Sequence, residues 1–205
     1  MLLSSLIKVK LYFTCFDLKN YTVSSKYKFV NREGIYFVTA TIVNWVDVFT
    51  RNEYRDILMD SFRFCQQNQG LRIYGWVLMI NHFHLIGATT NENGMGMVMR
   101  NIKSFTAMKL IDAIIKNPKE SRREWMLDIF EKNGKESKNN FRYQFWQVEN
   151  HPILLDNDED KFAQRMHYLH ENPVRSGFVI EPQEWKYSSA IDFYTTEKGL
   201  LTLTE

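Results

Sequence analysis

The sequence has few cysteines and prolines, no excess of one charge and no long hydrophobic run. Among 205 residues there are 2 Cys and 4 Pro, and 26 Lys and Arg stand against 24 Asp and Glu for a net charge of +2. Cys15 and Cys65 have no metal-type spacing and are too few for a disulfide-framed mini-protein, so we expect free thiols in a reducing compartment. The balanced charge excludes a histone-like polycation.

Charged residues interrupt the amino-terminal segment. Lys8 and Lys10 split its apolar residues, so no stretch is long enough to span a bilayer, and the pattern differs from that of a secretory signal. We therefore expect a cytoplasmic protein that has no contact with membranes. The length of 205 residues and the hydrophobic fraction of 44% fit one globular domain and exclude a disordered chain.

Aromatic residues are abundant, at 15% of the chain, with 15 Phe, 10 Tyr and 5 Trp. Such residues supply buried area to large cores, which is the simpler interpretation. They also form the platforms on which proteins stack unpaired nucleic-acid bases. The composition favours the core without excluding the second use.

Hydrophobic periodicity predicts strands and helices that alternate along the chain. The predicted strands cover 34–43, 71–80, 82–88 and 141–148, and the predicted helices cover 50–70, 94–116 and 156–173. Two of the helices begin with the spacing of a capping box, formed by Thr50 with Glu53 and by Asp156 with Glu159.

The order of these elements predicts an α+β fold. The strands at 71–80 and 82–88 are separated by so few residues that they should pair antiparallel. Hairpins mixed with helices predict one antiparallel β-sheet with helices packed on it. Residues 117–140 begin with Asn-Pro and carry many charges, so we expect a surface insertion there with one helical turn at 125–130.

His82 and His84 are separated by one residue on the predicted strand 82–88. Alternate residues of a strand project to the same face, so the two imidazoles should stand side by side, as two ligands of one metal ion would. The alternative is a pair of polar residues on an exposed sheet face. After a long buried strand, however, two histidines without partners would be costly to desolvate.

Tyr168 and Asn172 lie four residues apart on the predicted helix 156–173, so they share one face and can reach one site. Arg165 lies beside them. The alternative is that Tyr168 is a half-buried aromatic and that Asn172 ends the helix before Pro173. The remaining histidines are expected in a loop or on solvated helix faces and are given no role: His151, His167 and His170.

Taken together, these motifs resemble those of single-tyrosine transposases with a His-hydrophobic-His (HUH) motif. Residues 74–86, YGWVLMINHFHLI, are similar to the HUH segment. Residues 168–179, YLHENPVRSGFV, resemble the tyrosine-bearing helix and Asn-Pro turn of REP-associated tyrosine transposases and their insertion-sequence relatives. This chain has Ile80 where the family usually has proline. Further similarity lies in residues 36–49, 145–147 and 184–194.

The resemblance implies a ferredoxin-like (RRM-like) HUH nuclease fold over residues 27–194, with the insertion 117–140 inside it. Residues 1–26 would be an amino-terminal extension and residues 195–205 a carboxy-terminal tail. The resemblance leaves a monomer and a homodimer open, because relatives of both kinds are known.

The resemblance also implies cleavage and rejoining of single-stranded or hairpin DNA. Tyr168 would be the nucleophile and would form a covalent 5′-phosphotyrosine. His82, His84 and Asn172 would hold a divalent metal ion, Mg²⁺ or Mn²⁺. By ligand softness alone, two imidazoles and an amide favour manganese, cobalt or zinc over magnesium.

Arg165 and Lys103 are candidates for contacts to DNA, although the simpler interpretation of both is a solvated charge on a helix. Two other functions use the same residues. One is a catalytically silent protein of the same fold that binds DNA hairpins. The other is a metal-dependent hydrolase of small phosphoesters that uses the histidines without covalent chemistry.

Overall fold

The computed structural model describes residues 29–137 and 141–204, which form an antiparallel sheet with helices on both faces. The predicted α+β fold is therefore confirmed. The extension 1–26, with Cys15, lies outside the described residues. The strand order in the sheet is β2-β3-β1-β4, with β1 at Tyr36–Thr41, β2 at Leu71–Leu78, β3 at His82–Thr89 and β4 at Ile153–Leu154.

Strand β3 lies in the interior of the sheet. It pairs antiparallel with β2 on one side and with β1 on the other. The predicted hairpin of β2 and β3 is confirmed. The two strands are continuously apolar because helices cover both faces of the sheet.

One face of the sheet carries the main core under α1 (Asn52–Asn68) and α2 (Gly94–Lys116). Both helices lie close to their predicted positions. Cys65 of α1 is a free thiol in this core, and burial raises its pKa to about 12. The thiol is therefore protonated and inert at neutral pH.

The predicted capping box at the start of α1 is wrong. The helix begins after Arg51, which makes no side-chain cap hydrogen bond within the described residues. The hydroxyl of Thr50 instead accepts a hydrogen bond from the Arg122 guanidinium at 3.0 Å, and Glu53 accepts one from the Asn117 amide. Both side chains therefore hydrogen-bond to partners distant in sequence and do not cap the helix.

The opposite face of the sheet carries α4 (Glu159–Arg175). Met166 and Leu169 pack there against a smaller core that includes Ile86 of β3. A Cβ atom at Gly75 of β2 would overlap the Met166 sulfur, so the absence of a side chain lets the helix approach the sheet closely.

Both ends of α4 differ from the prediction. The cap is Asp158, whose carboxylate accepts the backbone N–H of Lys161 at 2.9 Å. Asp156 instead accepts the backbone N–H of Ile35 at 2.7 Å. The helix also continues through Pro173 and ends at Arg175. Pro173 cannot donate to the carbonyl four residues earlier, and the helix ends two residues after it.

The insertion is more regular than predicted, since it contains the helix α3 (Arg123–Glu136). Met126 and Phe130 are four residues apart and fully buried, so they dock this helix on the main core. Exposed ion pairs at the same spacing line its outer surface. The many charges that indicated a loop belong to the solvated face of an amphipathic helix.

The predicted strand at 141–148 is wrong. Phe145 and Trp146 are buried in the main core, and Trp146 makes one isolated bridge to Ile42. The outer edge of β1 pairs instead with β4, through Tyr36 and Phe37. The aromatic composition of this segment therefore indicates burial and not strand pairing.

The chain after α4 packs back on the sheet. It includes the short helix α5 (Ala190–Tyr194), and within the predicted tail 195–205 Leu201 is buried and the Thr204 N–H donates to the Ile73 carbonyl at 2.7 Å. In the described part of the chain no helix is both long and apolar enough to cross a membrane.

Candidate active site

The two histidines of β3 project from the sheet face that α4 covers. In the register of β3 with β1, His82 lies opposite Thr41 and His84 lies opposite Thr39. The imidazole centroids are 4.9 Å apart and the ring planes meet at 70°. The strand thus places the two rings side by side.

A neighbouring side chain fixes the Nδ1 atom of each imidazole. Thr39 Oγ1 lies 2.7 Å from His84 Nδ1, and Asn81 Oδ1 lies 2.7 Å from His82 Nδ1. The amide oxygen of Asn81 can only accept, so His82 Nδ1 carries the proton and its Nε2 carries the lone pair. Oxygen acceptors of this kind orient metal-binding histidines.

Burial keeps both rings neutral. Burial lowers the pKa of His82 to about 4, against an opposing hydrogen bond with Asn172. Burial, and then the charges of His82 and Arg165, lower the pKa of His84 to about 3. His84 Nε2 is buried and has no hydrogen-bond partner among residues 29–137 and 141–204. A buried polar atom without a partner is costly unless something else binds it.

Helix α4 brings Tyr168 and Asn172 to the histidines. The Tyr168 ring centroid lies 5.4 Å from that of His84 and 6.0 Å from that of Phe37. One turn later, the Asn172 side chain lies near His82, where it opposes the effect of burial on the pKa of that ring. A single helix therefore positions a phenol beside one imidazole and an amide beside the other, within one chain.

Two arginines of α4 add positive charge. The Arg165 guanidinium lies 5.5 Å from the Phe37 ring centroid, and its buried Nε has no hydrogen-bond partner in the described residues. The guanidinium of Arg175 lies 5.7 Å from the Tyr168 ring centroid. Arg175 lies beside the Tyr168 ring, and the charge of Arg165 acts on the neighbouring His84, so both can attract an anionic group such as a phosphate to this part of the site.

Comparison with known structures identifies this arrangement of sheet and helices. A solved structure of a REP-associated tyrosine transposase bound to a REP hairpin is similar to this chain, with a TM-score of 0.55 and 16% identity over 93% of this chain and 92% of that chain. The chain has the fold of a REP-associated tyrosine transposase. No protein-family model and no curated protein sequence matches it. The likeness confirms the fold that the sequence motifs implied.

On the transposase fold, the donor set fits a divalent ion. Within the described ranges no group of three His, Cys, Asp or Glu side chains could hold a metal, so the two histidines would need a ligand of another kind to complete a site. With the Thr39 hydroxyl accepting from His84 Nδ1, the unpartnered Nε2 of His84 and the Nε2 of His82 would each offer a lone pair to such an ion.

Lys103 has a different environment. Its amine donates to the carbonyls of Gln147 at 2.6 Å and Val148 at 3.1 Å and to Asn150 Oδ1 at 2.7 Å. Burial lowers the pKa of this amine to about 7, while the three oxygens favour its charged form. Lys103 therefore holds the segment whose Asn150 carbonyl accepts the Thr39 N–H at 2.9 Å. A role in DNA contact stays a prediction.

His170 is buried and not solvated as expected. It is 1% exposed, its Nε2 lies 2.8 Å from Ser189 Oγ, and burial lowers its pKa to about 4. Phe193 and Tyr194 pack on its ring. It joins α4 to the carboxy-terminal segment and has a structural role.

Sequence reasoning missed Thr39, Asn81 and Arg175. Asn81 directly precedes the His-x-His pair, so its position could have indicated a partner of His82. Arg175 lies seven residues after Tyr168, a spacing of two helical turns. Thr39 could not have been found, because its contact with His84 depends on the register between β1 and β3.

Proposed function

We propose that the protein is a transposase-like enzyme that nicks and rejoins single-stranded or hairpin DNA through Tyr168. One observation carries the proposal: Tyr168 of α4 lies beside His84 of the sheet, and Asn172, one turn later on the same helix, lies near His82, all within a single chain. No second subunit is needed to bring the phenol to the histidines, so the proposal includes a site complete in one chain.

His82, His84 and Asn172 are proposed to hold a divalent ion, Mg²⁺ or Mn²⁺. When bound, such an ion supplies Lewis-acid polarisation of a phosphate oxygen. The protein supplies neutral imidazoles, because burial keeps their pKa values far below 7. Thr39 and Asn81 hold the rings so that little reorganisation is required.

Tyr168 is proposed to act as the nucleophile. Its phenol oxygen would lose a proton and form a bond to the phosphorus of a DNA phosphodiester, and the bond from phosphorus to the 3′ oxygen would break. The products are a 5′-phosphotyrosine and a free 3′-hydroxyl. Attack of a 3′-hydroxyl on the phosphotyrosine reverses these steps and rejoins DNA without an external energy source.

DNA is the proposed partner. The transposase with the similar fold was solved with a REP hairpin, which supports a hairpin or its single-stranded flank as the substrate class. Arg165 and Arg175 are proposed to contact the phosphate beside Tyr168. We expect the protein to act in the cytoplasm, where such DNA is accessible.

Denaturing electrophoresis tests the proposal. The protein is incubated with Mn²⁺ and a pool of labelled DNA hairpins that carry randomised single-stranded flanks. We expect an SDS-resistant protein–DNA adduct with the wild type and with Tyr194→Phe, a control at a tyrosine that is 51% exposed, and none with Tyr168→Phe.

Each other outcome contradicts the enzyme proposal in a distinct way. Equal nicking by the wild type and by Tyr168→Phe excludes the tyrosine as nucleophile. Nicking without an adduct indicates the phosphoester hydrolase. Binding without nicking indicates the catalytically silent hairpin-binding protein.

A further inference from the structure

An exposed tryptophan with an unusual backbone lies beside the candidate active site. Trp45 ends a short 3₁₀ turn after β1 and is 59% exposed. Trp45 and the preceding Asn44 both have positive φ angles, 56° and 51°. Two consecutive left-handed residues are unfavourable for side chains with a Cβ, and an aromatic residue is a poor choice for such a position.

The side chain of Asn81 holds this turn in place. Its amide nitrogen donates to the Trp45 carbonyl at 3.3 Å and to Asp47 Oδ1 at 2.7 Å. Its amide oxygen simultaneously bonds His82 Nδ1 at 2.7 Å. One amide therefore sets both the orientation of a proposed metal ligand and the position of the exposed indole.

The insertion braces the same turn from the other side. Arg122 donates to the Asp47 carbonyl at 2.8 Å and to Thr50 Oγ1 at 3.0 Å. Arg122 is itself fixed by Glu120, whose carboxylate is buried. A strained backbone at the surface persists only when several surrounding contacts hold it in that conformation. Such strained residues are concentrated at functional sites.

The indole is next to the histidine pair and open to a ligand. The Trp45 and His82 ring centroids are 5.8 Å apart, with the planes at 73°. The neighbouring Asn44 is exposed and the nearby Asp47 and Asn81 are partly exposed, so the apolar surface consists of little more than one ring. That area is too small for a stable protein interface, which buries about 800 Å² on each partner. A single exposed aromatic ring is instead suited to stacking with one nucleobase.

We propose that Trp45 is a stacking platform for one unpaired base that flanks the phosphate attacked by Tyr168. This inference rests on the proposed function, because it assigns the base to the DNA strand bound at the histidine pair. Stacking on an aromatic side chain tolerates any base, so Trp45 positions the strand without reading its sequence. Base stacking needs an exposed aromatic ring at this position, and folding does not. This accounts for a tryptophan in a left-handed turn.

The test measures DNA binding separately from cleavage. Fluorescence anisotropy with EDTA present gives the Kd of the full chain for a labelled hairpin with an eight-nucleotide thymidine flank. We expect Trp45→Ala to raise the Kd about 5- to 150-fold, which corresponds to the roughly 1–3 kcal/mol lost when a base-stacking aromatic is removed, and Trp45→Phe to restore most of the affinity. The matched control is Trp125→Ala, at a tryptophan that is 54% exposed on α3, and we expect an unchanged Kd.

Abasic substitution locates the base. Each flank nucleotide is replaced in turn by an abasic one, and we expect the difference between wild type and Trp45→Ala to disappear at one position. Equal Kd values for Trp45→Ala and Trp125→Ala would overturn the inference, as would a loss of affinity that is independent of the abasic position. A protein that dimerises through Trp45, seen as a smaller mass for Trp45→Ala by light scattering with an unchanged Kd, would also overturn it.

Failure of the proposed function has a different signature. If no covalent adduct forms with any hairpin while Trp45→Ala still weakens binding at one base, the nuclease proposal fails and the stacking platform stands. If the adduct forms and binding does not depend on Trp45, the nuclease proposal stands and the stacking platform fails.

Melting curves of Trp45→Asn test whether the tryptophan is needed for folding. Asparagine accepts the left-handed region, so we expect this variant to melt as high as Trp125→Ala while binding DNA as weakly as Trp45→Ala.

Discussion

The buried carboxylate of Glu120 is a sensitive point of the insertion. Its oxygens accept hydrogen bonds from Arg51 Nε at 2.7 Å, Arg122 Nε at 3.0 Å and the Arg122 backbone N–H at 3.1 Å, and its side chain is 0% exposed. Burial raises the pKa of this carboxyl, but the hydrogen bonds and charges of the two arginines outweigh burial and lower it to about 2.

Glu120→Gln removes the negative charge and replaces one of the two acceptor oxygens with an NH2 donor, so one guanidinium group loses its acceptor and neither keeps a charged partner. The pKa falls from 4.5 to about 2, which corresponds to about 3 kcal/mol at about 1.4 kcal/mol per unit. Both arginine side chains are about one-third exposed and remain partly hydrated, so we reduce the expected loss to about 2–3 kcal/mol of unfolding free energy.

Urea unfolding measures this loss. At pH 7 we expect Glu120→Gln to lower the unfolding free energy by that amount. A depressed carboxyl pKa stabilises the fold above the ordinary value of 4.5, and the stabilisation is lost as the pH falls toward 2. The difference between the wild type and Glu120→Gln should therefore shrink over that pH range.

The control is Glu131→Gln, which breaks the exposed pair with Lys135 on α3 and should change stability by less than about 0.5 kcal/mol. If Glu120→Gln were as stable as Glu131→Gln, or if its deficit were constant from pH 7 to pH 2, the assignment of Glu120 as a buried anion would be refuted. Because Arg122 also holds the turn at Trp45, Glu120→Gln should weaken DNA binding as well.

Three further changes test the framework of the site. Thr39→Val removes the partner of His84 Nδ1 and should weaken Mn²⁺ binding about 10- to 100-fold in a calorimetric titration, with an unchanged circular dichroism spectrum; unaltered affinity would contradict the orienting role. Lys103→Met leaves three oxygens without their donor and should lower the unfolding free energy by about 2–4 kcal/mol, compared with less than about 0.5 for the exposed control Lys116→Met. His170 has a pKa lowered to about 4, so its neutral form stabilises the fold above pH 6.5 and this contribution is lost as the pH falls to 4. The acid sensitivity of metal-free protein in that window should be smaller in His170→Gln, and an equal sensitivity would argue against its burial.

Several predictions were wrong where a local sequence pattern was compatible with more than one structure. Thr50 has the spacing of a helix cap, but Arg122 engages its hydroxyl from the insertion. Residues 141–148 have the composition of a strand, but Phe145 and Trp146 fill the core while β4 occupies the edge of β1. In each case a tertiary contact outweighed the local preference.

Features with a regular spacing along the chain could be predicted from the sequence alone. Side chains on one face of a strand or helix recur with the period of that element. For this reason the apolar runs of β2 and β3 predicted the sheet and the two adjacent imidazoles. The four-residue spacing of Tyr168 and Asn172 likewise predicted the helix face opposite them. The partners of those groups depended on folding. Thr39 meets His84 across 45 positions, and Arg122 supports the turn of Trp45 through contacts with Asp47 across 75 positions. Such pairs leave no periodic signal, since strand register and helix docking bring them together only in the complete fold.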